Sequence, residues 1–502
     1  MKKQYKYSLI VLLVVFITGV VVFALSNHNA AINQYHSINQ LPKIHPDYFG
    51  AVIPPNIAPL NFSIKENASN YYVEIFSKQG KPIEIFSRTP EISIPEESWN
   101  ELLSLNRGQE LLFDIFVQTE NNEWSRFQSI TNNIANENID GFLVYRKIHP
   151  SHNSWREMGL YQRNMQTFEE MPILKNDKYM DGCAHCHSFL NNHADKISIA
   201  IRKSGYGEYQ NSQLIVDGDR VYKIGNVLGF TSWHLSGRLL ACSFNQPRLI
   251  LHTTRNEMRD IVDLKSSIGY FFIGSKEMKT IPQLSGKDQL ENYPTWSPDG
   301  RYLYFTSAKM LWTDLNTIPP ENYDKVKYSL YRISYDIEKD QWGETEPVLL
   351  SENTELSLNQ PRISPNGRWL TFSMCDYSCW PSYHPESDLY IVDLIRAQET
   401  GRYEYRKMEI NSDQCESWHT WSSNSRWIVF SSKKGNPLFN RSYIAYVNEN
   451  GKLSKAFVLP QKDPTFYDTY LKTYTIPELV TEPVKATGEK LARVIRNQDA
   501  DY

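Results

Sequence analysis

Four stretches of this 502-residue chain repeat one design, and that repetition constrains the fold more than any other feature. TSWHLSGRLLACSF (231–244), PTWSPDGRYLYFTS (294–307), PRISPNGRWLTFS (361–373) and HTWSSNSRWIVFSS (419–432) line up, with anchors Trp233, Trp296, Ile363 and Trp421 spaced 63, 67 and 58 residues apart. Each unit is an aromatic or aliphatic residue, a polar turn, an Arg and an alternating strand. Pro298 presets φ, and Asp299-Gly300 supplies a tight reversal into the strand. Asp299 and the equivalent Asn366 are therefore read as turn residues, not as chemistry. Further strands follow, among them YSLYRISYDI (328–337), SDLYIVDLI (387–395) and RSYIAYVNEN (441–450). One such unit cannot bury both faces alone, whereas several arranged radially can. The expected fold is an all-β propeller over 131–470. Two weaker units, DGFLVYRKI with WREMGLYQRNM and DKISIAIR with NSQLIVDGDRVYKIG, bring the expected count to about six blades.

Upstream, NYYVEIF (70–76), KPIEIF (81–86) and GQELLFDIFVQT (108–119) alternate with period two. They predict a small β-sandwich of immunoglobulin or fibronectin type over 46–130, with Trp99 and Trp124 between its sheets. Residues 31–45 read as a linker. FYDTYLKTYTIPELV (466–480) is expected to pack on the propeller, and 471–502 reads as a C-terminal tail whose end is polar and helical.

The first thirty residues bear on compartment. Lys2, Lys3 and Lys6 precede the uncharged run SLIVLLVVFITGVVVFAL, Ser8 to Leu25. Eighteen helical residues span about 27 Å, close to the hydrocarbon thickness of a bilayer. Charge before the run and little after it predicts a cytoplasmic N-terminus and an exported remainder. A cleaved signal ending near Ala24-Leu25-Ser26 is the competing reading; the length of the run favours an uncleaved anchor. The expected location is the bacterial envelope, facing the periplasm or the cell exterior.

A net charge of −4 with the two signs interspersed argues against a nucleic-acid partner. There is no GxSxG elbow, no HExxH and no GxGxxG opening a helix, which disfavours a propeller-capped serine hydrolase and a nucleotide enzyme. Of six cysteines, Cys242, Cys375, Cys379 and Cys415 are scattered. MCDYSCW, with Cys375 and Cys379, suits a local disulfide, but sequence leaves the pairing open.

The remaining two lie in DGCAHCHSFL (181–190). With 6 Cys and 12 His in the chain, a CxxCH is expected about 0.002 times by chance. Covalent haem needs two thiols for two vinyl groups and an imidazole for the iron, and Cys183, Cys186 and His187 meet that need. Zinc on Cys183, Cys186, His187 and His193, with His185 near, is the main competitor, yet no second ligand loop follows. A thioredoxin-type dithiol lacks its βαβ setting. Candidates for a sixth iron ligand are His152, His193, His234, His384, His419, Met165, Met180 and Met374, and the sequence does not choose among them.

The WSPDGR-type units resemble the PD40, WD40-like repeats of TolB-like propellers. CAHCHSF, WHLSGR, YPTWSPDGRYLYFTSA, PRISPNGRWLTF, DLYIVDL, HTWSSNSRWIVFSS and IPELV together resemble exported Bacteroidetes propeller proteins that carry one CxxCH, often labelled cytochrome c biosynthesis proteins. The resemblance covers about 140–480 and extends to the preceding sandwich. It implies a haem-linked context. One departure is Ala200-Ile201-Arg202, where a His is expected before the Arg.

The resulting expectation is a membrane-anchored extracytoplasmic monohaem c-type cytochrome-like protein that carries one covalent haem c. It would serve electron transfer or redox-linked docking on a propeller platform, more a carrier than an enzyme. Its partners would be the membrane, through the N-terminal helix, and a redox or envelope protein. The alternative is an envelope interaction protein or cytochrome c maturation factor in which the CxxCH is structural or transient. A five-coordinate haem enzyme such as a peroxidase stands third.

Overall fold

The computed structural model describes residues 32, 34–149, 158–178, 183–202, 212–225, 229–253, 257–284, 286 and 288–497. The predicted membrane anchor, His152 and Met180 lie outside them. Among the described residues, no helix is long and apolar enough to cross a membrane.

Six four-stranded antiparallel sheets follow one another along the chain. The second runs from its inner strand Cys183–Leu190 through His193–Arg202 and Ser212–Asp217 to Arg220–Gly225. The third to sixth begin at inner strands Thr231–Trp233, Gln289–Trp296, Ser357–Ile363 and Glu416–Trp421. The first sheet differs. Its outer strands come from Phe142–Ile148, Gly159–Asn164 and Glu170–Lys175, but its inner strand is Thr473–Val480 from the far end of the chain. Consecutive inner strands pack on one another, the sixth on Thr473–Val480 and that strand on Cys183–Leu190, so the sheets form a closed, propeller-like ring. The strand 473–480 thus corrects the expectation of a tail from 471 onward. Its brief IPELV pattern looks terminal in sequence, yet its edge hydrogen bonds are needed to complete the first sheet.

The ring is held by apolar layers between neighbouring sheets. Val144, Leu160, Ile197, Ile199 and Val480 fill the space between the first and second. Trp369, Leu389, Trp421, Ile428 and Phe430 fill that between the fifth and sixth.

The repeat unit is a turn device before it is a core. In three successive sheets a Ser hydroxyl donates to an Asp or Asn two residues on: Ser297 to Asp299 (2.6 Å), Ser364 to Asn366 (2.6 Å) and Ser422 to Asn424 (2.7 Å). The same Asp or Asn oxygen accepts the N–H of Arg301, Arg368 or Arg426, each at 3.1 Å. Gly300 and Gly367 take the positive φ that such a reversal demands. Asp299 and Asn366 are the turn residues that their position implied.

Residues before 140 form a mixed seven-stranded sheet and a three-stranded sheet. Asn70–Phe76, Ile83–Ser87 and Glu110–Gln118 fall where the alternation put them. The helix Glu96–Leu105 does not. Trp99 belongs to this helix, fully buried, with its indole N–H on the Ile57 carbonyl at 2.9 Å. Trp124 sits half-buried on the short strand Trp124–Arg126, against Phe86 at 6.4 Å and outside the shared core. This unit shares one core with the ring: Trp99, Phe113 and Ile53 belong to the same cluster as Tyr145 of the first sheet and Trp427 of the sixth. It therefore seats on the seam where the ring closes. At the C-terminus, Gly488–Asn497 is helical, and Leu491 and Val494 join the layer between the first and second sheets.

Closure predicts an unequal response to charge. Val480 is fully buried, so Val480→Asp should cost about 3 kcal/mol or more and lower the melting temperature strongly. Leu471, 65% exposed nine residues earlier, should tolerate the same change within about 0.5 kcal/mol. Equal melting temperatures for the two variants would contradict ring closure by this strand.

Candidate functional site

Cys183, Cys186 and His187 lie on the inner strand of the second sheet, not on a loop. The register runs Cys183 opposite Arg202 and Ala184 opposite Ile201, then jumps to His187 opposite Ile199. His185 and Cys186 together face one residue, which is a β-bulge. In a regular strand, residues three apart point to opposite faces. The extra residue corrects the parity, so both thiols line one cavity of about 400 Å³, and His185 lines it with them. By the same parity His187 is turned off the lining. It is buried with an edge-on contact to Phe189 (5.8 Å), and neither ring nitrogen has a partner. The structure thus brings Cys183 and Cys186 together and does not bring His187 to them.

The cavity is cationic on one wall and aromatic on its floor. Arg146 donates to Cys183 Sγ at 3.3 Å and approaches Met158 Sδ at 4.0 Å, and its Nε has no partner. Arg202 lines the same wall, while Ile201, just before it, is buried in the layer between the first and second sheets. Arg259 and Lys433 are already engaged: burial would raise Glu257, but hydrogen bonds from Arg259 and Lys433 hold it down at about 2. The floor is Phe230 stacked on Tyr293 at 4.2 Å, with Trp418 and Trp380 at 5.6 and 5.5 Å from Phe230.

Burial sets the protonation of the strand. It pushes the Cys186 thiol up to about 11 against the pull of Arg202 and Arg146. His185 falls well below its usual range, and His187 falls to about 3. At neutral pH the site holds a thiol and neutral imidazoles. His185 Nδ1 lies 3.3 Å from Cys186 Sγ, and its Nε2 has no partner. Among the described residues, no three His, Cys, Asp or Glu side chains group as a metal site would need.

None of the described sixth-ligand candidates lines this cavity. His193 is exposed at a hairpin. His234 is a turn residue, bonded to Ser236 (2.8 Å) and the Gly300 carbonyl (3.1 Å). His384 pairs with Glu386 (3.0 Å). Met165 and Met374 are core. His419 is buried in a strand, not at a turn, and burial lowers it to about 3. Met158, which packs on Cys183 and lines the cavity, was not singled out; it comes from the neighbouring sheet, and no spacing marks it. All six cysteines are free, Cys375 and Cys379 included.

The bulge recurs in the other sheets. Register jumps at Tyr293-Pro294, Gln360-Pro361, Trp418-His419 and Ile476-Pro477 put one bulge in four more inner strands. Tyr293, Gln360, Trp418 and Ile476 all have φ between 50° and 53°. With Phe230 and Cys186, most of these side chains meet in one cluster across the channel. Two residues further along the inner strands, Ser188, Thr295, Arg362, Thr420 and Glu478 line a second cavity of about 430 Å³. Burial drives Glu478 up to about 7, although Arg362 and the Phe189 N–H oppose it.

No family model and no curated protein matches the chain. Solved structures that are similar include an oligogalacturonate lyase from Vibrio parahaemolyticus (12% identity, 77% of this chain and 100% of that one, TM-score 0.33). A prolyl oligopeptidase B from Galerina marginata shares 11% identity over 69% of this chain, with a TM-score of 0.36, but only 43% of its own length is spanned. A dipeptidyl peptidase 4 from Porphyromonas gingivalis shares 10% over 61%, with 44% of its length spanned and a TM-score of 0.30. Chains this distant say nothing of substrate or activity.

Glu478 yields a pH prediction. The folded chain keeps this carboxyl protonated up to about 7, whereas the unfolded chain releases it near the ordinary glutamate value of 4.5. Between those values the folded state binds more protons, so this group's contribution to stability is full below pH 4.5 and falls by roughly 3 kcal/mol as pH rises to about 7. Glu478→Gln should remove that decline: the melting temperature of the variant, relative to wild type, should climb across this window. A difference that does not change with pH would refute the assignment.

Proposed function

We propose that this chain is an exported monohaem c-type cytochrome-like protein of the TolB-like propeller kind, acting in electron transfer or redox-linked docking. The observation that carries the reading is the shared cavity of Cys183 and Cys186. A CxxC in an ordinary strand would send its thiols to opposite faces; here a bulge aims both at one pocket. The surroundings suit a tetrapyrrole: an aromatic floor for the ring, and Arg146 and Arg202 for its carboxylates. Cys183 and Cys186 would hold the haem as thioethers. His187 is the iron ligand by motif, His185 is the imidazole on the cavity wall, and Met158 is the soft ligand within the same lining. Bound haem supplies one-electron chemistry at iron, while the chain supplies attachment, a dry floor and counter-charge. The apolar run Ser8–Leu25 would anchor the chain to the membrane with the ring outside, where a redox or envelope protein docks.

The alternative, an envelope interaction or maturation factor with a structural CxxCH, gains support from one observation. The segment is hydrogen-bonded into a sheet with neutral, buried side chains, which is how a purely structural strand is built.

Export in a host competent for c-type maturation separates the two. Haem stain on the denatured wild type, lost in a Cys183→Ser, Cys186→Ser variant, is the expected result, with a pyridine haemochrome spectrum giving the attachment type. The absorption spectra of His185→Ala and His187→Ala then show which imidazole reaches iron. A wild-type chain that carries no covalent haem would leave the interaction reading.

A further inference from the structure

The second cavity plays no part in the haem reading. All six inner strands contribute to its lining, and it opens at the other end of the channel from the cysteines. Its one cation from the channel wall is Arg362. The guanidinium donates from Nη1 to Thr295 Oγ1 at 3.2 Å; among the described residues it makes no other side-chain hydrogen bond and meets no carboxylate within 4.0 Å. Burial lowers it from its usual range, with the charge of Glu478 opposing, as expected for a charge short of a counter-ion. A half-buried guanidinium without an anion in contact is costly, and a bidentate carboxylate is the partner its fork geometry matches.

The rest of the lining narrows the ligand. Hydroxyls of Ser188, Thr295 and Thr420 stand around the channel: Ser188 shares one hydrogen bond with Thr231, Thr420 donates to the Pro477 carbonyl, and Thr295 donates to the Pro361 carbonyl while accepting from Arg362. Glu478 faces the same space without pairing with Arg362. A ligand that puts an acid on Arg362 and hydroxyl groups toward Glu478 would engage both groups. A volume near 430 Å³ suits a molecule of monosaccharide size. We propose that this cavity binds a small hydroxylated carboxylate, a sugar acid in size and chemistry, with Arg362 as its anchor. The proposal stands whether or not haem is attached at the other end.

Calorimetric titration of the full-length protein with D-glucuronate, and with D-glucose as the neutral control at matched ionic strength, tests it. Glucuronate should bind at least about tenfold more tightly than glucose, a ratio set by one charge-assisted pair. Arg362→Gln should lose that advantage, Arg362→Lys should keep part of it because charge remains without the fork, and Arg402→Gln on the surface should change nothing. Circular dichroism checks that each variant folds; should Arg362→Gln unfold, the Lys variant and the glucuronate-to-glucose ratio of the wild type still decide. Equal binding of the two sugars, or undiminished glucuronate binding by a folded Arg362→Gln, overturns the proposal.

Discussion

Pairing of Thr473–Val480 with Phe142–Ile148 joins the two ends of the ring, and the remaining architecture depends on that junction. Without it the first sheet would lose its inner strand and both of its neighbours would expose an apolar layer. The seam draws reinforcement from three directions. The terminal helix adds Leu491 and Val494 to one side. On the other, Asp140 accepts from the Ser423 backbone N–H at 2.8 Å, and Trp427 donates to the Asn138 carbonyl at 3.1 Å. The N-terminal unit lies over the top, where the Ala58 N–H reaches the Met165 carbonyl at 2.7 Å. Rings made of similar sheets are weakest where the chain is not continuous, and here most of the sequence outside the repeats is placed at that weak point.

A second constraint works inside the ring. Inner strands that ran regularly would present alternate side chains to the two neighbouring sheets and few to the axis. The bulges turn Tyr293, Trp418 and Ile476 inward at one level, where they meet Phe230 across the channel. Tyr, Trp and Ile at positive φ are sterically disfavoured, and the surrounding packing must offset that strain. What results is a partition. One side holds the two thiols with Arg146 and Arg202; the other holds Arg362 and Glu478. The same irregularity that aligns Cys183 with Cys186 therefore defines the second cavity as well.

The ring was legible because its turns are chemically strict: in the last three units a Ser, an Asp or Asn two residues on, and an Arg recur, with Gly300, Gly367 or Ser425 at the positive φ between them. The level of the bulges also left a trace, since YPTW, QPRI and IPEL place proline where a ladder N–H is dispensable, but that trace is weaker than the turn signal. Other features had a weak local signature or none. The helix Glu96–Leu105 buries Trp99, Leu102 and Leu103, an i, i+3, i+4 pattern masked by its setting between alternating strands. Met158 and Arg146 reach the cysteine cavity only through a sheet closed by residues far away in the chain. Motif spacing named His187 correctly as the neighbour of Cys186, yet spacing says nothing of parity, and parity turns it from the cavity while His185 remains.

Desolvation distinguishes the chemistries open to this strand. A zinc site or a redox dithiol uses thiolates, and at Cys186 burial opposes ionisation strongly enough to hold the group near 11 even with two guanidinium groups nearby. To ionise it at neutral pH would take some four units, or roughly 5 kcal/mol, from a new partner. A thioether is neutral and carries no such cost. The neutral imidazoles do not discriminate, since an uncharged nitrogen is the form that ligates zinc and haem iron alike. A protonated Cys186, neutral imidazoles, an aromatic floor and, among the described residues, two guanidinium groups without a carboxylate partner are the chemical setting that any ligand of this strand meets.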